Sequence, residues 1–172
     1  MIDPDPFCVL DASVAIDLIH GDIVLEFDAL RLNVGVPDVI LAEVVEEKEL
    51  IGLSFETIEY TGEQMLEAAR LKRNTNHISV PDLFALISAR EGADILLTGD
   101  ADLRQLAETE GMKVHGILWV LDELVQEKVL VPLRAAQALK DILNAGSFLP
   151  EGECERRFRR WGAPPGYWDS LG

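Results

Sequence analysis

The segment Ala93-Asp-Ile-Leu-Leu-Thr-Gly-Asp-Ala-Asp-Leu103 carries the clearest strand-to-helix signal in the chain. Ile95, Leu96 and Leu97 form a continuous apolar run closed by Gly99, the pattern of a strand covered on both faces. A strand is therefore predicted over 94–98 and a helix over 101–110. Asp100 falls where the strand hands over to the helix, at the carboxyl edge of a sheet, which is where open α/β sheets bind ligands.

The flanking sequence repeats this alternation. Ser79-Val-Pro-Asp82 reads as a helix start, with Ser79 as N-cap, an acid three residues on and an apolar helix running to Arg90 before Gly92. Gly62 to Arg73 is amphipathic, with Met65, Leu66, Ala69 and Leu71 as apolar positions, and 72–77 reads as a polar surface turn. Phe7-Cys-Val-Leu, 34–36 and 55–60 read as strands, 13–20 and 22–32 as helices, and Pro37 as the opening of a helix to about Glu47. Downstream, 113–115 is a fifth strand, followed by helices from Gly116 to about Lys128 and from Pro132 to Asn144. Such alternation predicts an α/β fold whose central sheet is mostly parallel, with right-handed crossovers and helices on both faces.

Length and composition narrow the function. The 172 residues suffice for one domain with a full core and a short appendage, and 48% apolar with 27% charged residues is ordinary for a globular protein. No apolar run approaches the roughly 18–20 residues of a bilayer span. The acidic, Pro-broken start reads as neither signal peptide nor anchor, and Cys8 and Cys154 make no disulfide framework, so a cytoplasmic protein is expected. The net charge is −16, yet from Glu151 onward four acids balance four arginines, so the deficit lies in residues 1–150. A body this acidic repels polyanions through its general field. It either avoids nucleic acid or meets it through metal ions and a local basic patch; a basic protein partner also fits.

Asp11, Glu43, Asp82 and Asp100 stand at element ends or on helices near them, with Asp102 a close fifth. Each also has a purely structural reading: Asp82, Asp100, Asp102 and Asp11 as helix-start acids, and Glu43 as a solvated charge beside Glu46 and Glu47. Taken together they form a set of hard oxygen ligands that suits Mg²⁺ or Mn²⁺ rather than zinc. Carboxylates crowded without a cation would raise one another's pKa.

The order and spacing of these acids resemble the PIN-domain ribonuclease family. Val9-Leu-Asp11-Ala-Ser13 looks like its first strand with the leading Asp, and Val36-Pro-Asp-Val-Ile-Leu-Ala-Glu43-Val like its second acid. Pro81-Asp82-Leu-Phe-Ala-Leu-Ile-Ser-Ala-Arg looks like the helix carrying the third. Leu96-Leu-Thr98-Gly-Asp100-Ala-Asp102-Leu resembles the family's Thr-x-Asp-x-Asp-Phe segment, with Leu103 where Phe is commoner. The resemblance runs from about Phe7 to Val114. Met112-Lys-Val-His-Gly-Ile-Leu-Trp-Val-Leu resembles a subgroup that continues into further helices, as 132–144 and 150–161 would here. It implies a three-layer α/β/α fold with a five-stranded sheet, organised as a PIN-like nuclease domain over 1–130 and a helical extension with an irregular tail over 131–172.

The resemblance further implies metal-dependent hydrolysis of RNA phosphodiester bonds, with Asp11, Glu43, Asp82 and Asp100 holding one or two Mg²⁺ or Mn²⁺ ions and Asp102 supporting them. Ser13, Thr98 and Arg104 are candidate substrate contacts. So is the dense basic stretch Arg156-Arg157-Phe-Arg-Arg-Trp161, whose aromatics could stack on bases; its neighbours Glu151, Glu153 and Glu155 suggest instead a helix of Glu–Arg pairs. Lys72 and Arg73 read as a solvated helix end, and His20, His77 and His115 as non-catalytic. Many small PIN proteins are VapC-type toxins, so a toxin role, a cognate antitoxin partner and a homodimer follow as expectations from the family. The rival class is a catalytically silent PIN fold acting as an acidic module for a protein partner. Phosphoaspartyl phosphatases want Asp-x-Asp where this chain has Asp11-Ala-Ser13, and receiver domains want an acidic pair and a late Lys; both fit poorly.

Overall fold

The structure is a computed structural model that describes residues 5–44 and 53–167. Its sheet has five strands, all parallel: β1 (Phe7–Leu10), β2 (Asn33–Pro37), β3 (Glu56–Ile58), β4 (Ile95–Leu97) and β5 (Val114–His115), in the order β3-β2-β1-β4-β5. The chain first winds from β1 through β2 to β3, then returns to the other side of β1 for β4 and β5. The order therefore reverses between β1 and β4, the switch point where a crevice opens beyond the strand ends. In register, Cys8 lies beside both Val34 and Ile95, and Leu10 beside Leu97. Asp94 fixes that register, accepting a bond from the Phe7 amide at 2.8 Å through its carboxylate and donating its own amide to the Phe7 carbonyl at 2.8 Å. Gly35 leaves room for neighbouring strands, because a Cβ there would stand 2.7 Å from both Phe7 Cζ and Ile58 Cδ1.

The chain forms two compact units. One, up to Ala15 and over Arg31–Gly116, contains the sheet with α3 (Asp38–Val44), α4 (Gly62–Asn74), α5 (Val80–Arg90) and α6 (Ala101–Thr109). Helix α5 touches β1, β2 and β4 on one side and α4 on another, so it is buried without a break from Leu83 to Ala89. Tyr60 fastens it, with its ring 4.3 Å from that of Phe84 and its hydroxyl 2.6 Å from Ser88 Oγ. The other unit, Ile16–Leu30 and the chain from Ile117, is helical: α2 (Val24–Asp28), α7 (Ile117–Gln126), α8 (Pro132–Asn144) and α9 (Glu151–Arg160) bury Phe27, Leu121, Leu139, Ile142 and Phe158. Helix α1 (Ala12–His20) begins in the first unit and ends in the second.

Most boundaries shift by one or two residues from the sequence reading, and three differences have an identifiable cause. The helix expected over 22–32 is only Val24–Asp28, because β2 begins at Asn33 and the chain needs Ala29–Leu32 for the turn into it. Pro37 closes β2 opposite Ile58, and the expected helix, α3, begins at the next residue, Asp38; a strand end tolerates a residue with no N–H. Lys72–Asn74 complete α4 rather than forming a turn, and the Lys72 ammonium donates to the carbonyls of Asn76 (2.8 Å) and Ile78 (2.6 Å). Of the helix expected to about Glu47, residues 45–47 lie outside the described residues.

Candidate active site

Asp11 stands immediately after β1, and its amide donates to the Leu97 carbonyl at 3.0 Å, which places it at the switch point. Its side chain is fully buried. The carboxylate accepts the Ala12 amide on Oδ1 at 2.7 Å and two hydroxyls on Oδ2, Ser13 Oγ and Thr98 Oγ1, each at 2.7 Å. Both hydroxyls in turn accept main-chain amides of the loop after β4: Gly99 N–H to Ser13 Oγ at 2.8 Å and Asp100 N–H to Thr98 Oγ1 at 3.0 Å.

Asp82 comes to the same carboxylate from α5. The Ser79 hydroxyl caps that helix on the Asp82 amide at 3.2 Å, which sets the side chain in the first turn, where its charge acts on Asp11. Burial and the neighbouring Asp82 carboxylate push the Asp11 pKa up to about 7, against the lowering effect of the Thr98 and Ser13 hydroxyls. A buried carboxylate fed by neutral donors and pressed by a second carboxylate is an environment that a divalent cation completes.

Asp100 and Asp102 are placed differently. Asp100 is the N-cap of α6, with Oδ1 accepting the Leu103 amide at 2.7 Å. Asp102 is exposed in the first turn of α6 and lines a groove of about 260 Å³ with Thr75, His77 and Gln105. Glu43 lies in the last turn of α3, beyond the residues whose side chains are described. Among the described residues, no three His, Cys, Asp or Glu side chains are grouped to hold an ion. The described residues thus bring together two of the four expected ligands, Asp11 and Asp82. That pair still fits Mg²⁺, which keeps several waters and is commonly held by one or two carboxylates plus substrate phosphates.

Of the candidate substrate contacts, Thr98 is fully buried and gives its hydroxyl proton to Asp11. Arg104 spans the ends of β4 and β5, donating to the carbonyls of Thr98 (3.1 Å) and Val114 (3.3 Å), and pairs with Glu108 at 3.5 Å. In the helical unit, Arg157 binds Asp122 at 2.6 Å and Glu153 at 2.9 Å, while the more exposed Arg156 also pairs with Glu153. Sequence reasoning passed over two acids. Asp122 receives both Arg157 and Arg160, and Asp17, buried inside α1, accepts the Ser147 hydroxyl. The available signal was an acid inside an otherwise apolar helix, which for Asp17 interrupts Val14, Ala15, Ile16, Leu18 and Ile19.

An all-parallel sheet with a buried carboxylate, Asp11, beside the half-buried Asp82 at its switch point defines a class of α/β protein with an acidic site at the sheet edge. A family model for the PIN domain matches residues 7–163, and this chain belongs to the PIN-domain family, whose members are typically nucleases. No curated protein and no solved structure matches the chain. No helix among the described residues is long and apolar enough to cross a membrane.

Proposed function

We propose that this protein is a metal-dependent endoribonuclease that hydrolyses RNA phosphodiester bonds. The observation that carries the proposal is the buried Asp11 carboxylate at the β1–β4 switch point, held only by neutral donors while the Asp82 charge acts on it, where carboxylates repel each other in the absence of a cation. Asp11 and Asp82 would hold Mg²⁺ or Mn²⁺, with Asp100, Glu43 and Asp102 as further oxygen donors from the same sheet unit. Such an ion lowers the pKa of a bound water and stabilises charge on the scissile phosphate. The chain's own residues supply orientation: the hydroxyls of Ser13 and Thr98 fix the Asp11 carboxylate, and the Ser79 cap fixes the turn carrying Asp82. Neutralising the paired carboxylates also removes local negative charge from the path of an RNA phosphate, which the net charge of −16 otherwise opposes.

The test is cleavage of labelled single-stranded RNA with Mg²⁺, with Mn²⁺ and with EDTA, by the native chain and by Asp82→Asn. Cleavage that requires metal and is lost in the variant supports the reading. Many small PIN proteins are toxins, and a toxin role here, neutralised by a cognate antitoxin, predicts growth arrest on induced expression and no arrest with Asp82→Asn. A silent module that binds a protein partner through its acidic surface is the second reading. It draws on the acidic body of the chain, whose net charge of −16 suits a basic partner. Calorimetric titration with Mn²⁺ separates the two, because a silent module binds it no better than any acidic surface.

A further inference from the structure

The hydrogen bonds around Asp11 form a closed pattern that no single residue explains. Two consecutive amides of the β4–α6 loop, Gly99 and Asp100, each donate to a hydroxyl, at 2.8 and 3.0 Å. Each hydroxyl passes its one proton to the same atom, Asp11 Oδ2, at 2.7 Å. A hydroxyl has a single proton, so a Ser13 or Thr98 oxygen that donates to Asp11 has none left for a phosphate. Thr98 is fully buried, and a Cβ added at Gly99 would stand only 3.4 Å from Ser13 Oγ. Two donors converging on one carboxylate oxygen allow a single orientation of the group, and bonds in series polarise one another.

We infer that Ser13 and Thr98 are positioning residues: a paired hydroxyl relay that locks the Asp11 carboxylate in one orientation and couples it to the main chain at Gly99 and Asp100. The inference rests on the metal-dependent reading for its functional consequence, but the relay itself is a property of the metal-free chain. A change at the Asp11–Asp82 pair is transmitted through it to the loop that opens α6, the helix capped by Asp100. The acid after β1 and the acid after β4 then respond as one unit, although 89 positions separate them in sequence.

The experiment uses the full chain and has two arms. Without metal, amide resonances of Gly99 and Asp100 are compared between the native chain and Asp82→Asn. Both should shift in the native background, and neither in a Ser13→Ala/Thr98→Val background. Unchanged resonances on Asp82→Asn, or shifts that survive loss of both hydroxyls, overturn the relay. With Mn²⁺, calorimetry should show binding weakened about 10–100-fold by Thr98→Val, the cost typical of losing a group that orients a ligand. Thr98→Ser, which restores the hydroxyl alone, should return affinity to within about threefold of native, again as expected for an orienting group. Native affinity in Thr98→Val overturns the positioning role. A native chain that binds no Mn²⁺ sinks the nuclease reading, and the metal-free arm then decides the relay separately.

Discussion

Asp122 in the helical unit and Asp11 in the sheet unit are both heavily hydrogen-bonded carboxylates, yet their charges are treated in opposite ways. Asp122 receives the guanidinium of Arg157, through Nε at 3.0 Å and Nη2 at 2.6 Å, and a second guanidinium from Arg160. Asp11 receives only neutral donors and faces another acid. Compensated charge of the first kind holds helices together, because desolvation of each ion is offset by a partner built into the chain. Charge of the second kind costs stability and persists in a fold when something outside the chain completes it.

The sharpest test of that contrast is Asp82→Asn. Ribonuclease activity should fall by about 10²–10³-fold, the loss expected when several kcal/mol of cation-supplied stabilisation is removed. The melting midpoint of the metal-free chain should not fall, because the substitution relieves repulsion on Asp11 while the Ser79 cap, made to a backbone amide, stays in place. A variant that loses activity together with stability would place Asp82 among the structural acids and erase the distinction from Asp122.

The pH dependence of stability has a definite sign. The folded-state pKa of Asp11 is about 7 against 3.8 in its absence of structure, so its stabilising contribution is complete below about 3.8 and is lost as pH rises through about 7. Metal-free protein should therefore melt at a higher temperature near about pH 5.5 than near about pH 8, as far as this group is concerned. Saturating Mg²⁺ should flatten the difference, since an ion supplies the missing charge at the higher pH. Asp17 is shifted upward by its own burial, so a residual slope of the same sign should survive in Mg²⁺. A pH profile identical with and without Mg²⁺ would count against a cation at Asp11.

Much of this arrangement was legible in the sequence. The β1 and β4 runs are short, apolar and closed by Asp11 and Gly99, so their position at one sheet edge followed from periodicity alone. Ser79 and Asp82 were readable as a helix start because capping is a local effect. The boundaries that moved depend on distant partners: Pro37 is held in β2 by pairing with Ile58, and Lys72 by carbonyls of the turn that follows α4. Which acids touch was not readable either. Asp82 and Asp100 occupy similar helix-start positions in sequence, and only the packing of α5 across β1, β2 and β4 turns one of them onto Asp11 while the other caps α6. The pairing of Asp122 with Arg157, 35 positions away, is invisible for the same reason.

On the compensated side, Arg157→Met is the informative change. The side chain of Arg157 is 14% exposed and that of Asp122 is 25% exposed, so the substitution removes two charge-assisted bonds to Asp122 while keeping most of the apolar stem. Stability should drop by about 2 kcal/mol, the scale of hydrogen bonds to charged groups in partial burial, and the denaturation midpoint measures it.

Arg156→Ala should change almost nothing, and that small effect is what separates two accounts of the basic stretch. Arg156 is 70% exposed and its partner Glu153 is also held by Arg157, so removing one arm of an exposed, shared pair leaves the helix intact. If α9 is a structural helix of Glu–Arg pairs, RNA cleavage and its salt dependence should match the native chain as closely as the melting curve does. If Arg156 instead meets a phosphate, the melting curve still stays unchanged, but the dependence of RNA affinity on the logarithm of salt concentration should lose about 0.7 of a unit of slope, the single-strand value for one contact. A flat melting curve with a changed salt slope would therefore move this arginine from the compensated set into the substrate path, the one place where the division between paired and unpaired charge would have to be redrawn.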